Sequence, residues 1–166
     1  KDGKYGVFFH YLYPMEDMKT FDAKKFAENV NSMGAAWAVI TLGQNDGYYC
    51  APNPTYEKLT SYAPHSKCYA GDIPMQIAHE LERYNIKMML YLPSHAPSRD
   101  LQAGRMLGSD MEIDGNWEMN DTIVHNWCEV IKDWSCHYGK LCAGWWFDGF
   151  YDLIHLDEHY ARFYKE

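Results

Sequence analysis

The residues best placed to do chemistry lie in Gly144-Trp145-Trp146-Phe147-Asp148-Gly149, where an apolar run over residues 141–147 ends in one carboxylate followed by glycine. A buried parallel strand delivers a reactive group in this way, because the catalytic residues of (β/α) barrels sit at the carboxyl ends of their strands. Strand alternation places Trp146 on the same face as Asp148, where an indole can stack on a sugar ring, and turns Trp145 and Phe147 toward the core. The same pattern also suits a carboxylate that only caps the next helix or steadies a turn.

One chemistry that a carboxylate beside aromatic rings could serve is glycoside hydrolysis, which needs two carboxyl groups about 5–5.5 Å apart in a retaining enzyme. Asp148 fits the nucleophile. Glu112, Asp114 and Glu118, in a polar stretch, are the only in-chain partners available as acid/base. His10, at the end of the first strand, reads either as a hydroxyl ligand or as a core histidine bonded to backbone. Gln44 and Asn45 follow the second strand and are candidates for substrate contact, since each amide carries donors and an acceptor; Tyr91 closes the third, where it contacts substrate or packs in the wall. His95 is a weaker candidate on the next loop. Asp46 and Gly47 shape a turn. The pair His155 and His159 has i, i+4 spacing but no third ligand, so it reads as a solvated helix face. No metal or organic cofactor is expected.

These residues need a scaffold, and the chain supplies four β-then-α units. Strands are expected over residues 5–11, 35–41, 86–92 and 141–147. Helices are expected over residues 22–33, capped by Thr20 or Asp22 and ended by Gly34; from Asp72 with Pro74 in its first turn; from a cap at Asp121; and over residues 155–164. Ile123, Trp127, Ile131 and Trp134 repeat at three- and four-residue spacing and mark a buried helix face. Strands alternating with helices imply a parallel sheet with right-handed crossovers. The long segments 42–71 and 93–120 both begin at the carboxyl end of a strand, and loops of this length are uncommon unless functional. The fold class is therefore α/β, a (β/α) TIM-type barrel with only about four βα units present, in a single domain spanning 1–166.

Composition narrows the partners. The chain has 166 residues, about two-thirds of a typical barrel. Its net charge of −8 argues against nucleic acid and anionic membranes, whose phosphates need a basic footprint. No run approaches the roughly 18 apolar residues of a membrane span. Aromatic residues make up 16%, which suits sugar-stacking surfaces and barrel walls equally. The chain opens on Lys1, which reads as a processed or excerpted product. Of five cysteines, Cys50 and Cys68 share one loop and are available to pair in an oxidising compartment. Cys128, Cys136 and Cys142 read as buried free thiols.

Taken in order, these segments resemble the first half of the catalytic barrel of glycoside hydrolase family 29, the retaining α-L-fucosidases. Gly6-Val7-Phe8-Phe9-His10 resembles the opening strand of that family. Phe21-Asp22-Ala23 with Met33-Gly34-Ala35 resembles its "FDA…aGA" passage. Residues 41–48 (TLGQNDGY) resemble "TTKHHDGF", and residues 144–149 resemble "GVWFDG". The resemblance implies hydrolysis of terminal fucose or a related sugar, Asp148 as nucleophile, His10 and Tyr91 as sugar ligands, and an acid/base contributed beyond the fourth strand. It also implies a secreted, periplasmic or lysosomal-type compartment.

Two departures stand out: Gln44-Asn45 replaces a His pair, and residues 10–21 hold no clear equivalent of the family's substrate-binding Trp. The alternatives left open are a segment of a longer enzyme, a half-barrel that dimerises, and a non-catalytic carbohydrate-binding protein or a related glycosidase of different specificity. Open edge strands on an isolated half predict dimerisation or aggregation.

Overall fold

A computed structural model describes residues 5–10, 15–95, 97–109, 112–113, 116–117, 119–149 and 161–165. The elements run β1 (Gly6–Phe9), α1 (Ala23–Ser32), β2 (Trp37–Thr41), α2 (Pro54–Thr60), α3 (Ile73–Glu82), β3 (Lys87–Pro93), α4 (Leu101–Leu107), β4 (Glu112–Ile113), β5 (Asn116–Trp117), α5 (Asp121–Tyr138) and β6 (Cys142–Asp148), with short 3-10 turns before α1 and after α5. β1, β2, β3 and β6 form one four-stranded parallel sheet in that order, which is their order along the chain.

The helices start where short polar side chains satisfy orphan backbone N–H groups. Asp22 accepts from Lys25 N at 2.8 Å, and Asp72 accepts from Met75 N at 3.1 Å. α5 is capped by Asn120, whose Oδ1 accepts from both Thr122 N and Ile123 N at 3.0 Å. The expected cap, Asp121, is instead the first helical residue.

One face of the sheet packs on the helices. Ala38, Ile40, Met88, Leu90, Leu92 and Phe147 are buried there with Val30, Ile77, Leu81, Ile131 and Trp134. The opposite face carries Phe8, Val39, Tyr91, Trp146 and Asp148. The alternation in β6 is reset by an irregularity in its pairing with β3. Met88 pairs with Cys142 but Leu90 pairs with Trp145, so residues 143–144 together oppose Met89. This bulge turns both Cys142 and Trp145 to the helix side. A Cβ on Gly144 would stand 3.1 Å from Met89 Cε.

The sheet is curved, with the second face concave. In a flat sheet, strands three positions apart stand about 14 Å apart. Yet the rings of Phe8 on β1 and Trp146 on β6 are 5.5 Å apart, edge to face, and Phe8 also meets Tyr91 on β3 at 5.2 Å. Side chains stand roughly perpendicular to a sheet, so their meeting requires the strands to lean inward.

The two long segments are not structureless. Residues 42–71 contain α2 and residues 93–120 contain α4 and the β4–β5 ribbon. Seven-residue helices are too short to show a clear period in sequence. The first segment is fastened to α5: Trp134 Nε1 donates to Pro52 O at 2.9 Å, Thr55 N donates to Asp133 Oδ2 at 3.0 Å, and buried Asn53 donates through Nδ2 to Val130 O at 2.9 Å.

Cys50 and Cys68 are both buried free thiols. Tyr49 pairs with Cys68 in a parallel bridge, so the neighbouring Cys50 faces the other way and donates to Thr41 O at 3.2 Å instead. Cys128 is buried as expected, whereas Cys136 is exposed and Cys142 half-buried. Of the helix expected over residues 155–164, residues 161–163 are helical, and residues 155–160 lie outside the described ones. Among the described residues no helix is long and apolar enough to cross a membrane.

Asn53 caps α2 through Oδ1, accepting from Tyr56 N at 2.7 Å, while its amide holds α5. Asn53→Ala loses both bonds at a buried site and is expected to destabilise the protein by about 2–3 kcal/mol in denaturant unfolding. A loss below about 0.5 kcal/mol would show that this tie does not hold the segment.

Candidate active site

The carboxyl ends of the four parallel strands gather His10, Tyr91, Trp146 and Asp148 of the side chains singled out in sequence. Asp148 is the last residue of β6 and is exposed. Pairing of Pro93 with Asp148 sets it beside the end of β3, and Ser94 N donates to Asp148 O at 2.7 Å. Tyr91, buried on the concave face, donates its hydroxyl to Asp148 Oδ2 at 2.7 Å. Charge-assisted bonds of this kind are about twice as strong as neutral ones. The phenol therefore holds Oδ2 and leaves Oδ1 without a partner among the described residues.

A shallow cavity of about 170 Å³ opens onto this carboxylate, lined by Phe8, His10, Tyr91, Trp146 and Asp148. Trp146 is 49% exposed and Phe8 37% exposed, so two aromatic faces are presented to solvent beside a carboxylate. An open sugar face and an aromatic ring match in shape and apolarity, and a carboxylate between them can meet a polar or developing positive centre. Phe8 carries no polar group to mark it as a site residue in sequence. The signal was present, since Phe8 precedes His10 by two and shares its face.

His10, just past β1, is exposed; its ring lies 4.7 Å from Phe8 and 5.1 Å from Tyr91. Gln44 Nε2 stands 3.2 Å from His10 Nδ1. Gln44 thus meets the site through His10. Asn45 does not line the cavity, and its backbone carbonyl accepts from Arg99 N at 2.8 Å, joining the loops after β2 and β3. Asp46 and Gly47 form a turn, with Asp46 Oδ1 accepting from Tyr48 N at 3.3 Å and Gly47 at φ 77°. A Cβ at Gly47 would sit 2.9 Å from Tyr56 Oη.

His95 is not at the mouth. It is buried, and its Nε2 lies 2.5 Å from Trp117 O. A carbonyl only accepts, so Nε2 carries the proton. Loop packing against the β4–β5 ribbon takes the ring inward, which sequence position alone could not show. Asp114 and Glu118 lie outside the described residues, as does the side chain of Glu112. Among the described residues no group of His, Cys, Asp and Glu is arranged to hold a metal ion.

The rim of the mouth is tied together by an ion pair. Lys67 Nζ lies 2.7 Å from Asp100 Oδ2, and Tyr62 Oη donates to Asp100 Oδ1 at 2.6 Å. Burial pulls the Asp100 carboxyl upward, but the Lys67 ammonium and the Tyr62 hydroxyl outweigh it and leave it below the usual range. Lys67 also stands 4.0 Å above the Tyr48 ring.

Burial lowers the His95 pKa from 6.5 to about 4, against a small upward pull from the Trp117 carbonyl. Between those values the unfolded chain binds the extra proton and the native state does not. Stability therefore falls as pH drops through this window, by on the order of 3 kcal/mol, and levels off below it. His95→Gln should flatten that part of the curve in denaturant titrations from pH 7 to 4. An unchanged slope in the variant would assign the loss to other groups.

The sequence matches no family model and no curated protein. Solved structures do match. An α-L-fucosidase of glycoside hydrolase family 29 from Bacteroides thetaiotaomicron superposes with a TM-score of 0.61 at 19% identity, covering 89% of this chain and 39% of that one. An endo-fucoidan hydrolase of family 107 gives 0.69 at 15% identity, covering 98% and 47%. An α-L-fucosynthase of Thermotoga maritima gives 0.65 at 12% identity, covering 98% and 49%. The chain thus spans less than half the length of each of these three proteins and shares with that portion the α/β fold of fucose-processing glycoside hydrolases.

Proposed function

We propose that this chain is part of the catalytic (β/α) barrel of a retaining glycoside hydrolase that removes terminal α-L-fucosyl or related sugar residues, with Asp148 as nucleophile. The observation that carries the reading is the carboxylate at the end of β6, held by Tyr91 and facing an aromatic cavity at the carboxyl ends of the strands. The curvature of the sheet and its sequential strand order support an arc of a barrel, with the remaining strands supplied by further chain.

In the first step Asp148 Oδ1 attacks the anomeric carbon while an acid protonates the departing glycosidic oxygen. The C–O bond to the leaving group breaks, and a glycosyl ester of Asp148 forms. Water, deprotonated by the same group, then attacks the anomeric carbon and frees the carboxylate. Tyr91 holds Oδ2 so that Oδ1 meets the anomeric carbon in a constant orientation. Trp146 and Phe8 flank the sugar, and His10 binds a ring hydroxyl. The acid/base comes from outside the described residues, and no cofactor is used.

Incubation with an activated 2-deoxy-2-fluoro-L-fucosyl donor tests this directly, because a good leaving group makes acid assistance largely unnecessary in the first step. Intact mass should rise by one fluorofucosyl group, mapped to Asp148, and Asp148→Asn should take up none. Folded protein that binds L-fucose yet never acquires the adduct would instead be a carbohydrate-binding module on a hydrolase scaffold. An adduct on another residue would overturn the nucleophile assignment.

Tyr91→Phe keeps the ring packing and removes only the hydroxyl. The rate of adduct formation should fall about 10–100-fold at saturating donor, with donor affinity within about twofold. A loss confined to affinity would make Tyr91 a sugar ligand and not a positioning residue.

A further inference from the structure

We propose that Gln44 is a positioning residue that holds His10 in the tautomer protonated on Nε2, so that His10 offers the sugar a fixed hydrogen-bond donor. The inference rests on the sugar-hydrolase reading of the site and adds to it the state of one of its ligands. Gln44 Nε2 lies 3.2 Å from His10 Nδ1. An amide nitrogen donates and does not accept, so Nδ1 is the lone-pair nitrogen of the ring. A neutral imidazole has one proton, which must then sit on Nε2.

The ring is held on two further sides by Phe8 and Tyr91. Among the described residues Nε2 has no partner. His10 also lines the cavity that exposes Asp148, the one carboxylate on its wall among the described residues. The Nε2 proton is therefore available to an acceptor oxygen of a bound ligand, and a ring hydroxyl of a sugar supplies one.

The residue type at position 44 matters for a chemical reason. A histidine there would exchange its own proton near neutrality, and its bond to Nδ1 could reverse. An uncharged amide does not titrate, so the donor at Nε2 persists wherever His10 is neutral. Gln44 reaches His10 because it lies three residues beyond the end of β2, next to β1 in the sheet. In this reading Gln44 acts on the sugar through the imidazole and does not itself bind a hydroxyl.

The test compares the wild-type protein with Gln44→Glu, an isosteric change whose carboxylate only accepts. Long-range proton–nitrogen NMR of the 15N-labelled protein reads both ring nitrogens of His10. The wild type should show protonated Nε2 and bare Nδ1. In Q44E, at a pH where the ring carries a single proton, that proton should move to Nδ1 and leave Nε2 bare, and affinity for L-fucose should fall about tenfold. A wild-type ring protonated on Nδ1, or nitrogen shifts unmoved in Q44E, would overturn the pairing. A ring inverted to the Nδ1-protonated tautomer with unchanged L-fucose affinity would overturn the positioning role. A wild-type protein that binds no L-fucose would instead bring down the sugar reading, and the nitrogen shifts would still decide whether Gln44 sets the ring.

Discussion

The inward curvature of the parallel sheet is the constraint on which the site depends. It brings the Phe8 ring to centroid distances of 5.2 Å from Tyr91 and 5.5 Å from Trp146, on two other strands. Without it β1 and β6 would stand too far apart for His10 and Asp148 to line one cavity. The helix-side face is filled with aliphatic and aromatic side chains, whereas the opposite face carries Phe8, Val39, Tyr91, Trp146 and Asp148. The two outer strands, β1 and β6, are each paired on one side only among the described residues. Edges of this kind recruit further strands.

The mouth is made rigid from outside the sheet. The segment after β2 is bolted to α5 through Asn53 and Trp134, and it meets the loop after β3 through Lys67 and Asp100. Buried ion pairs contribute little net stability, but removing one partner costs several kcal/mol (about 3–5). Their effect here is geometric, since they leave the Gln44 turn little freedom relative to Tyr91 and Asp148. A carboxylate needs such support because its orientation decides which oxygen meets a ligand. Asp148 is still exposed, and its field is weakened by water until a ligand excludes it.

Much of this was legible in the residues. Apolar runs over residues 5–11, 35–41, 86–92 and 141–147 marked four parallel strands, and the two central ones, β2 and β3, are buried as continuous hydrophobicity requires. Alternation alone put Trp146 beside Asp148. The helix starts at Asp22 and Asp72 followed from capping chemistry, and Asn120 took the third start because its side chain reaches two N–H groups at once. The short helices α2 and α4 escaped because seven residues hold too little of a period.

What the sequence by itself determined is the order of βα units and the set of polar groups at the strand ends, since both follow from local pattern. Tertiary structure alone decided how those groups meet. The bulge opposite Met89 sets the phase of β6 and can be seen only in the pairing. Curvature decides that Phe8 joins the site. The loop path buries His95, faces Cys50 away from Cys68, and turns Gln44 onto His10. Each of these depends on distances between residues far apart in the chain, and spacing along a sequence carries no such distance.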